Sequence, residues 1–309
     1  MEDSRVNSAR KSASLRRLRL AVAVAPLLFA IAGCANTQSS VVGGSNTPAL
    51  QTGSVNTIDP SFAVAPEERI TPDRPGEEEI VLSEFSREAA ELAMEDGQTY
   101  AALVHLSRGY KSDPKDKKVI YDYARHLRYH GMTTEALTVL NNGLNLYPGD
   151  ALLTLERAKS YIAAGTAEAA LVELKPLLTS RPEDPSILQT HGIALDRLGR
   201  HPEAQEAYQL AIAQGRPSAG LLNNAGLSYL ISGDIDRAEE LLRQAVVSFG
   251  AGPQVRQNLA MTLAIKGDTE EAKAYALQAV PKATARELIA FYESIVRQQD
   301  AWSIAAQSG

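Results

Sequence analysis

Six glycines, Gly97, Gly131, Gly165, Gly199, Gly233 and Gly267, stand 34 residues apart with no insertion between them. A period of that length and regularity leaves few folds open. Each unit is a single supersecondary element that cannot bury its apolar face alone, so neighbours must stack to make a core. Other positions keep the same interval. Five residues after each glycine comes Ala102, Ala136, Ala170, Ala204, Ala238 or Ala272, and seven before it a small residue, Ala90, Ala124, Ala158, Gly192, Gly226 or Ala260. Small residues in register mean helices in close approach, and the glycine supplies the turn between them. The repeats run 83–116, 117–150, 151–184, 185–218, 219–252 and 253–286. Each has an apolar residue at repeat position 3 (Phe85, Val119, Leu153, Ile187, Leu221, Val255), and position 24 carries Leu106, Leu140, Leu174, Tyr208, Leu242 and Ala276.

This pattern resembles the tetratricopeptide repeat, a helix-turn-helix unit with first helix A and second helix B. Pro114, Pro148 and Pro182 stand where that family has its closing proline. The fold class expected is all-α, a right-handed tetratricopeptide-repeat superhelix of six repeats with a C-terminal capping helix. The cap is read from ATARELIAFYESIVRQQDAW, whose apolar side is Leu288, Ile289, Tyr292, Ile295 and Val296, and Trp302 either closes it or anchors a partner. A content of only 6% aromatic residues suits close-packed helices better than a sandwich or barrel.

The chain has one cysteine, so neither a disulfide within it nor a cysteine-based zinc site is available. Its setting assigns it another role. Arg5, Arg10, Lys11, Arg16, Arg17 and Arg19 form a basic start, followed by the uncharged run Leu20–Gly33 of fourteen residues, broken by Pro26. A spanning helix needs about twenty apolar residues, so this run suits a signal peptide. It ends Ile31-Ala32-Gly33-Cys34, which resembles a bacterial lipobox, and the resemblance implies acylation of Cys34 and removal of residues 1–33. Arg16-Arg17 hints at twin-arginine export, but Leu18-Arg19-Leu20 follows that signal poorly, which leaves the Sec and twin-arginine routes both open. Ala35 in place of the aspartate of inner-membrane retention implies the outer membrane, with the repeats in the periplasm.

Removing residues 1–33 takes six Lys/Arg and two Asp/Glu from totals of 31 and 37, leaving 25 and 35 and a formal charge of −10. That balance argues against nucleic acid or anionic lipid as a general partner. Membrane attachment falls to the acyl chains, palmitate among them. Residues 34–82 read as the lipidated cysteine and a disordered tether, rich in Ser, Thr, Asn, Gly and Pro and then charged and proline-broken. A flexible chain of that length reaches roughly 40 Å. The domain organisation expected is thus 1–33 signal peptide, 34–82 tether, 83–286 repeats and 287–309 capping helix and tail.

No phosphate-binding glycine loop, nucleophile elbow or HExxH motif occurs. His126 and His130, at i and i+4, are better read as helix-surface residues than as metal ligands. No enzyme activity, cofactor, metal or small-molecule substrate is implied. The partner is expected to be protein. In tetratricopeptide repeats, helix-A positions 2, 5, 9, 12 and 13 line the binding groove. On this chain they place Arg87, Glu91, Tyr121, Arg125, Arg128, Tyr129 and Lys159 in the first half. The second half has Gln189, Asn223 and Gln257 at position 5 and Ile193, Leu227 and Met261 at position 9. An exposed amide row can pair with a partner's backbone while the apolar row takes side chains; the same residues also read as solvated polar groups above a structural row. Position 5 is never lysine, so the carboxylate clamp of chaperone-type repeats is absent.

The lipobox, tether and repeats, with the pair LLNNAGLSYLISGDIDRAEELLRQAV and VRQNLAMTLAIKGDTEEA, resemble the TadD-like lipoproteins of the tight-adherence (Tad/Flp) pilus system. The resemblance implies an adaptor in assembly of the pilus secretion apparatus, helping its outer-membrane secretin to localise or assemble. A recruiter of cell-wall hydrolases and a partner-dependent enzyme subunit are the other classes open to such a chain.

Overall fold

The structure is a computed structural model, and it describes residues 77–281 and 284–294. The signal peptide, Cys34, most of the tether, Ile295, Val296 and Trp302 lie outside the described residues. All regular structure among the described residues is helical. The helices pair as A and B: α1 Glu77–Glu95 with α2 Thr99–Ser112, α3 Lys117–Tyr129 with α4 Thr133–Leu146, and α5 Ala151–Ala163 with α6 Ala167–Ser180. The pairs α7 Pro185–Arg197 with α8 His201–Ala213, α9 Ala219–Ile231 with α10 Ile235–Val247, and α11 Pro253–Lys266 with α12 Thr269–Ala279 follow, and α13 spans 284–294. The fold class is the all-α tetratricopeptide-repeat arrangement expected. Helix α1 is already formed at Glu77, inside the stretch read as tether.

The six periodic glycines end the A helices in one way. Each has φ between 72° and 105°, and the next residue's N–H reaches back five residues, as Asp234 N does to Tyr229 O at 2.9 Å. That is the Schellman closure, which puts its C′ residue in the left-handed region that favours glycine. The opposite ends of four A helices are capped by side chains. Asp116, Asp150, Asp184 and Ser218, each the last residue of its repeat, accept backbone N–H bonds from the first turn of α3, α5, α7 and α9. Each such cap stabilises by about 1 kcal/mol.

Two compact units make up the described chain, one ending at Tyr123 and the other beginning at Ala124. In the first, Ala90, Ala93, Ala102 and Leu106 form a small core. Phe85, the apolar residue at position 3 of the first repeat, is 56% exposed, while Ser83 and Ser86 are buried. The reason is positional. Val119, at position 3 of α3, lies beside Gly109 of α2 and is fully buried, so a position-3 side chain is covered by the preceding helix B. Among the described residues no helix B precedes α1.

In the second unit the periodic positions form the core. Ala136, Ala170, Ala204, Ala238 and Ala272 are all 0% exposed, and position 24 is buried throughout. In repeats four and five, positions 8 and 24 meet at close range inside the hairpin. At Gly192 an added Cβ would sit 2.5–2.8 Å from the Tyr208 ring, and at Gly226 it would sit 2.8 Å from Leu242 Cγ. Helix α13 continues the stack in the manner of a seventh helix A. Tyr292 is 3% exposed and its hydroxyl donates to Gln257 O at 3.4 Å, across 35 residues. The Asn258 amide donates to Asn223 Oδ1 across the same separation one repeat earlier.

Candidate functional site: the A-helix face

Consecutive A helices meet along a seam that carries several polar contacts. Asn258 Nδ2 donates to Asn223 Oδ1 at 2.7 Å, and Gln254 Nε2 donates to Asn258 Oδ1 at 3.2 Å. Ser228 Oγ donates to Asp196 Oδ1 at 2.7 Å, and the same oxygen meets His201 Nδ1 at 2.8 Å. The other oxygen of Asp196 accepts from Tyr208 at 2.9 Å, so one carboxylate joins α7, α8 and α9. Arg128 Nε meets Glu156 Oε1 at 2.6 Å, with side chains only 8% and 1% exposed.

This seam corrects the amide row. Asn223 is 6% exposed and its oxygen already accepts from Asn258, because position 5 of one A helix faces position 6 of the next. It belongs to the joint between repeats five and six. Gln189 and Gln257 remain half-buried on the face. Met261 is corrected too. It is 2% exposed, in the apolar cluster to which α13 contributes Tyr292, while Ile193 and Leu227 at the same repeat position stay half-buried.

The cationic part of the face behaves differently. Tyr121, in the unit ending at Tyr123, is half-buried, and Arg87 pairs with Glu91 on its own helix. In the second unit, Tyr129 is the centre of a cluster. Arg125 Nε donates to its hydroxyl at 3.4 Å, and the Arg125 and Arg128 guanidiniums lie 5.4 and 4.6 Å from its ring centroid. His126 meets the ring edge-on at 6.3 Å. Burial pushes the Tyr129 phenol upward, but Arg125 and Arg128 together hold it below its ordinary value. Lys159, half-buried at position 9 of α5, has its ammonium pKa lowered by burial and by Arg128 and Arg125, against the pull of Glu156. Glu156 escaped the sequence reading because position 6 was not counted as part of the face. A charged residue there, where repeats four and six have Thr190 and Asn258, was the available signal.

Elsewhere the polar contacts lie on exposed helix surfaces. Arg243 bridges Glu239 and Glu271, and Lys266 bridges Asp236 and Glu239. A cleft of about 390 Å³ opens between α6 and α7, lined by Leu171, Lys175, Leu178, Thr179 and His191, none of them A-face positions. Among the described residues no three His, Cys, Asp or Glu side chains gather as a metal site would require, and no helix is long and apolar enough to cross a membrane.

Comparison with known proteins agrees with this geometry. Residues 190–254 and 223–287 match the family described as tetratricopeptide repeat. Solved structures share the fold. A tetratricopeptide-repeat protein from Parabacteroides merdae superposes with TM-score 0.59 at 16% identity, over 70% of this chain and 84% of that one. The APC/C hetero-tetramer Cut9–Hcn1 gives 0.59 at 15% identity over 70% of this chain, which spans only 46% of the matched chain. A thermophilic repeat protein of Thermus thermophilus gives 0.54 at 20% identity, over 59% of this chain and 98% of that one. No curated protein sequence matches the chain.

The described helices therefore have the tetratricopeptide-repeat fold, with residues 190–287 matching that family, and this fold is generally a scaffold for binding other proteins. Its A-helix face is cationic at repeats two and three and carries Ile193 and Leu227 beyond them.

Proposed function

We propose that the chain is a membrane-anchored protein-binding adaptor, acylated at Cys34 and held in the periplasm at the outer membrane. Its role there is assembly of a Tad/Flp-type pilus secretion apparatus through that apparatus's secretin. The observation that carries the binding reading is the row Tyr129, Lys159, Gln189, Ile193, Leu227 and Gln257. These side chains stay half-exposed along the A helices while the seams around them are closed. The lipobox, the tether and the wording of the last two repeats support the pilus assignment. A tether reaching roughly 40 Å would let the repeats search the periplasmic side of a neighbouring assembly.

Two measurements test this reading. Labelling with a palmitate analogue marks the wild type and leaves Cys34→Ser unlabelled, because a serine hydroxyl is far less nucleophilic than a thiolate. Affinity isolation after crosslinking in the native envelope recovers a secretin. Equal labelling of the mutant overturns the anchor, and recovery of cell-wall hydrolases in place of secretin overturns the pilus assignment.

A further inference from the structure

The outer edge of the first repeat departs from a pattern that the later repeats keep. Positions 3 and 10 of an A helix face the repeat before it: Val119 lies beside Gly109 of α2, and Ser228 reaches back to Asp196. Position 3 is buried in repeats two to six. Position 10 holds Ser160, Ala194, Ser228 and Thr262, all fully buried, and a half-buried His126. In the first repeat the same two positions carry Phe85 and Leu92, 56% and 64% exposed. Leu82 joins them, 47% exposed, at the place where Asp116, Asp150, Asp184 and Ser218 cap later A helices. With the half-buried Ala89 they form one stripe down α1, because residues spaced by three and four share a helix face. A terminal repeat of a solenoid ordinarily turns a polar face outward. This one exposes large apolar side chains where the internal repeats bury small ones, so the stripe calls for a cover.

Shape and charge say what kind. In the internal repeats this face is covered by the preceding helix B, as Val119 is by α2, so the stripe offers a seat for a helix. Along the neighbouring flank of α1 run Glu84, Glu88, Glu91 and Glu95, all exposed. Arg87 answers Glu91 at 3.4 Å. Glu84 with Glu88 and Glu91 with Glu95 are like charges four residues apart, and Glu95 ends the helix with no basic residue in its last turn. Both arrangements work against α1 itself. Cations brought by a partner would offset them.

We propose that the outer face of α1 seats an amphipathic helix of a partner protein, its apolar side on Leu82, Phe85 and Leu92 and its lysines or arginines on the glutamate flank. This goes beyond the adaptor reading, because positions 3, 7 and 10 belong to the stacking face between repeats and not to the groove. Charge sets aside the nearer occupants. Helix α1 has seven Glu against one Arg, a net −6, so a second copy would bring −6 against −6. The chain's own residues 35–76 supply only Arg69 and Arg74 against Asp59, Glu67, Glu68 and Asp73, and Pro60, Pro66, Pro72 and Pro75 interrupt the stretch nearest α1.

Full-length protein in phosphatidylcholine nanodiscs is titrated by fluorescence anisotropy with labelled peptides of about five helical turns. One has a Leu/Ala stripe flanked by Lys, one has the same stripe flanked by Glu, and one is the Lys peptide in scrambled order. The first binds about ten-fold or more above the other two and weakens with added salt. Phe85→Gln with Leu92→Gln weakens that binding about ten-fold to a hundred-fold. Glu84→Gln with Glu88→Gln and Glu95→Gln removes most of the salt dependence. Because Phe85 and Leu92 are exposed and Gln is a good helix former, their double variant melts with the wild type, which separates lost binding from unfolding. Wild-type affinity in that variant, or equal binding of the Glu-flanked or scrambled peptide, overturns the proposal. A dimer in sedimentation that the same two substitutions disperse also overturns it and assigns the stripe to a second copy. Peptide binding that tightens when residues 58–71 are deleted overturns it in favour of the chain's own segment.

Discussion

Gly192 and Tyr208 carry in one pair the packing rule of the whole stack. Repeats one to three place Ala at position 8 against Leu at position 24; repeat four widens one side to Tyr and shrinks the other to Gly. Tyr208 is 1% exposed and its hydroxyl is held by Asp196, so the ring cannot swing aside to admit a methyl group. Gly192→Ala should therefore cost about 1–3 kcal/mol of stability by overpacking. Tyr208→Leu should lose packing and leave an oxygen of Asp196 without its partner. Combined, the two changes rebuild the common Ala/Leu pair, and their effects should fall short of additivity by about 1 kcal/mol. Chemical denaturation of the four proteins measures this; strict additivity would show that the residues do not share the space assigned to them.

Helix α13 shows how an element is recruited by the ends it leaves behind. Pairs of repeats cover each other, but the last pair has an open side unless another helix follows. Tyr292 and the half-buried Leu288, Ile289 and Phe291 fill that side, and Met261 is buried among the residues they meet. Tyr292→Ala should cost about 3 kcal/mol, the scale of removing a buried aromatic ring, with hydrogen exchange rising first in α11 and α12. Exchange that instead rises evenly across all repeats would argue against a local cap. The repeat pattern made most of this legible beforehand: the small residues, the turn glycines and position 24 are fixed by helix contact within a hairpin, and such contact recurs in every copy. The contacts between neighbouring A helices were not legible in the same way. Asn223 could be placed at position 5 from its number alone, but its burial depends on Asn258 of the next repeat. Glu156 and Arg128 pair across a similar step, at positions whose residue types differ from one repeat to the next. Phe85 is the complementary case: Val119, Leu153, Ile187, Leu221 and Val255 at the same repeat position are buried, and it is exposed, with no helix B before it among the described residues.

At the scale of the whole molecule, the division of labour runs along one face. Exposed helix surfaces carry ion pairs such as Arg243 with Glu239 and Glu271, which tie helices together at the rim and contribute little each. The A-helix face carries Tyr129, Lys159, Gln189, Ile193, Leu227 and Gln257, whose side chains remain accessible after the core and the seams are complete. On the proposed reading, the protein meets its partner through that face. Site-specific photocrosslinking in the native envelope tests this most directly, with the photoreactive residue placed in turn at Lys159, Ile193 and Leu227 on the A-helix face and at Glu206 and Gln244 on exposed B-helix surfaces. The expected result is a discrete crosslinked partner from the A-helix positions and none from the B-helix positions. Crosslinks confined to Glu206 and Gln244, or none from any A-helix position, would contradict the account.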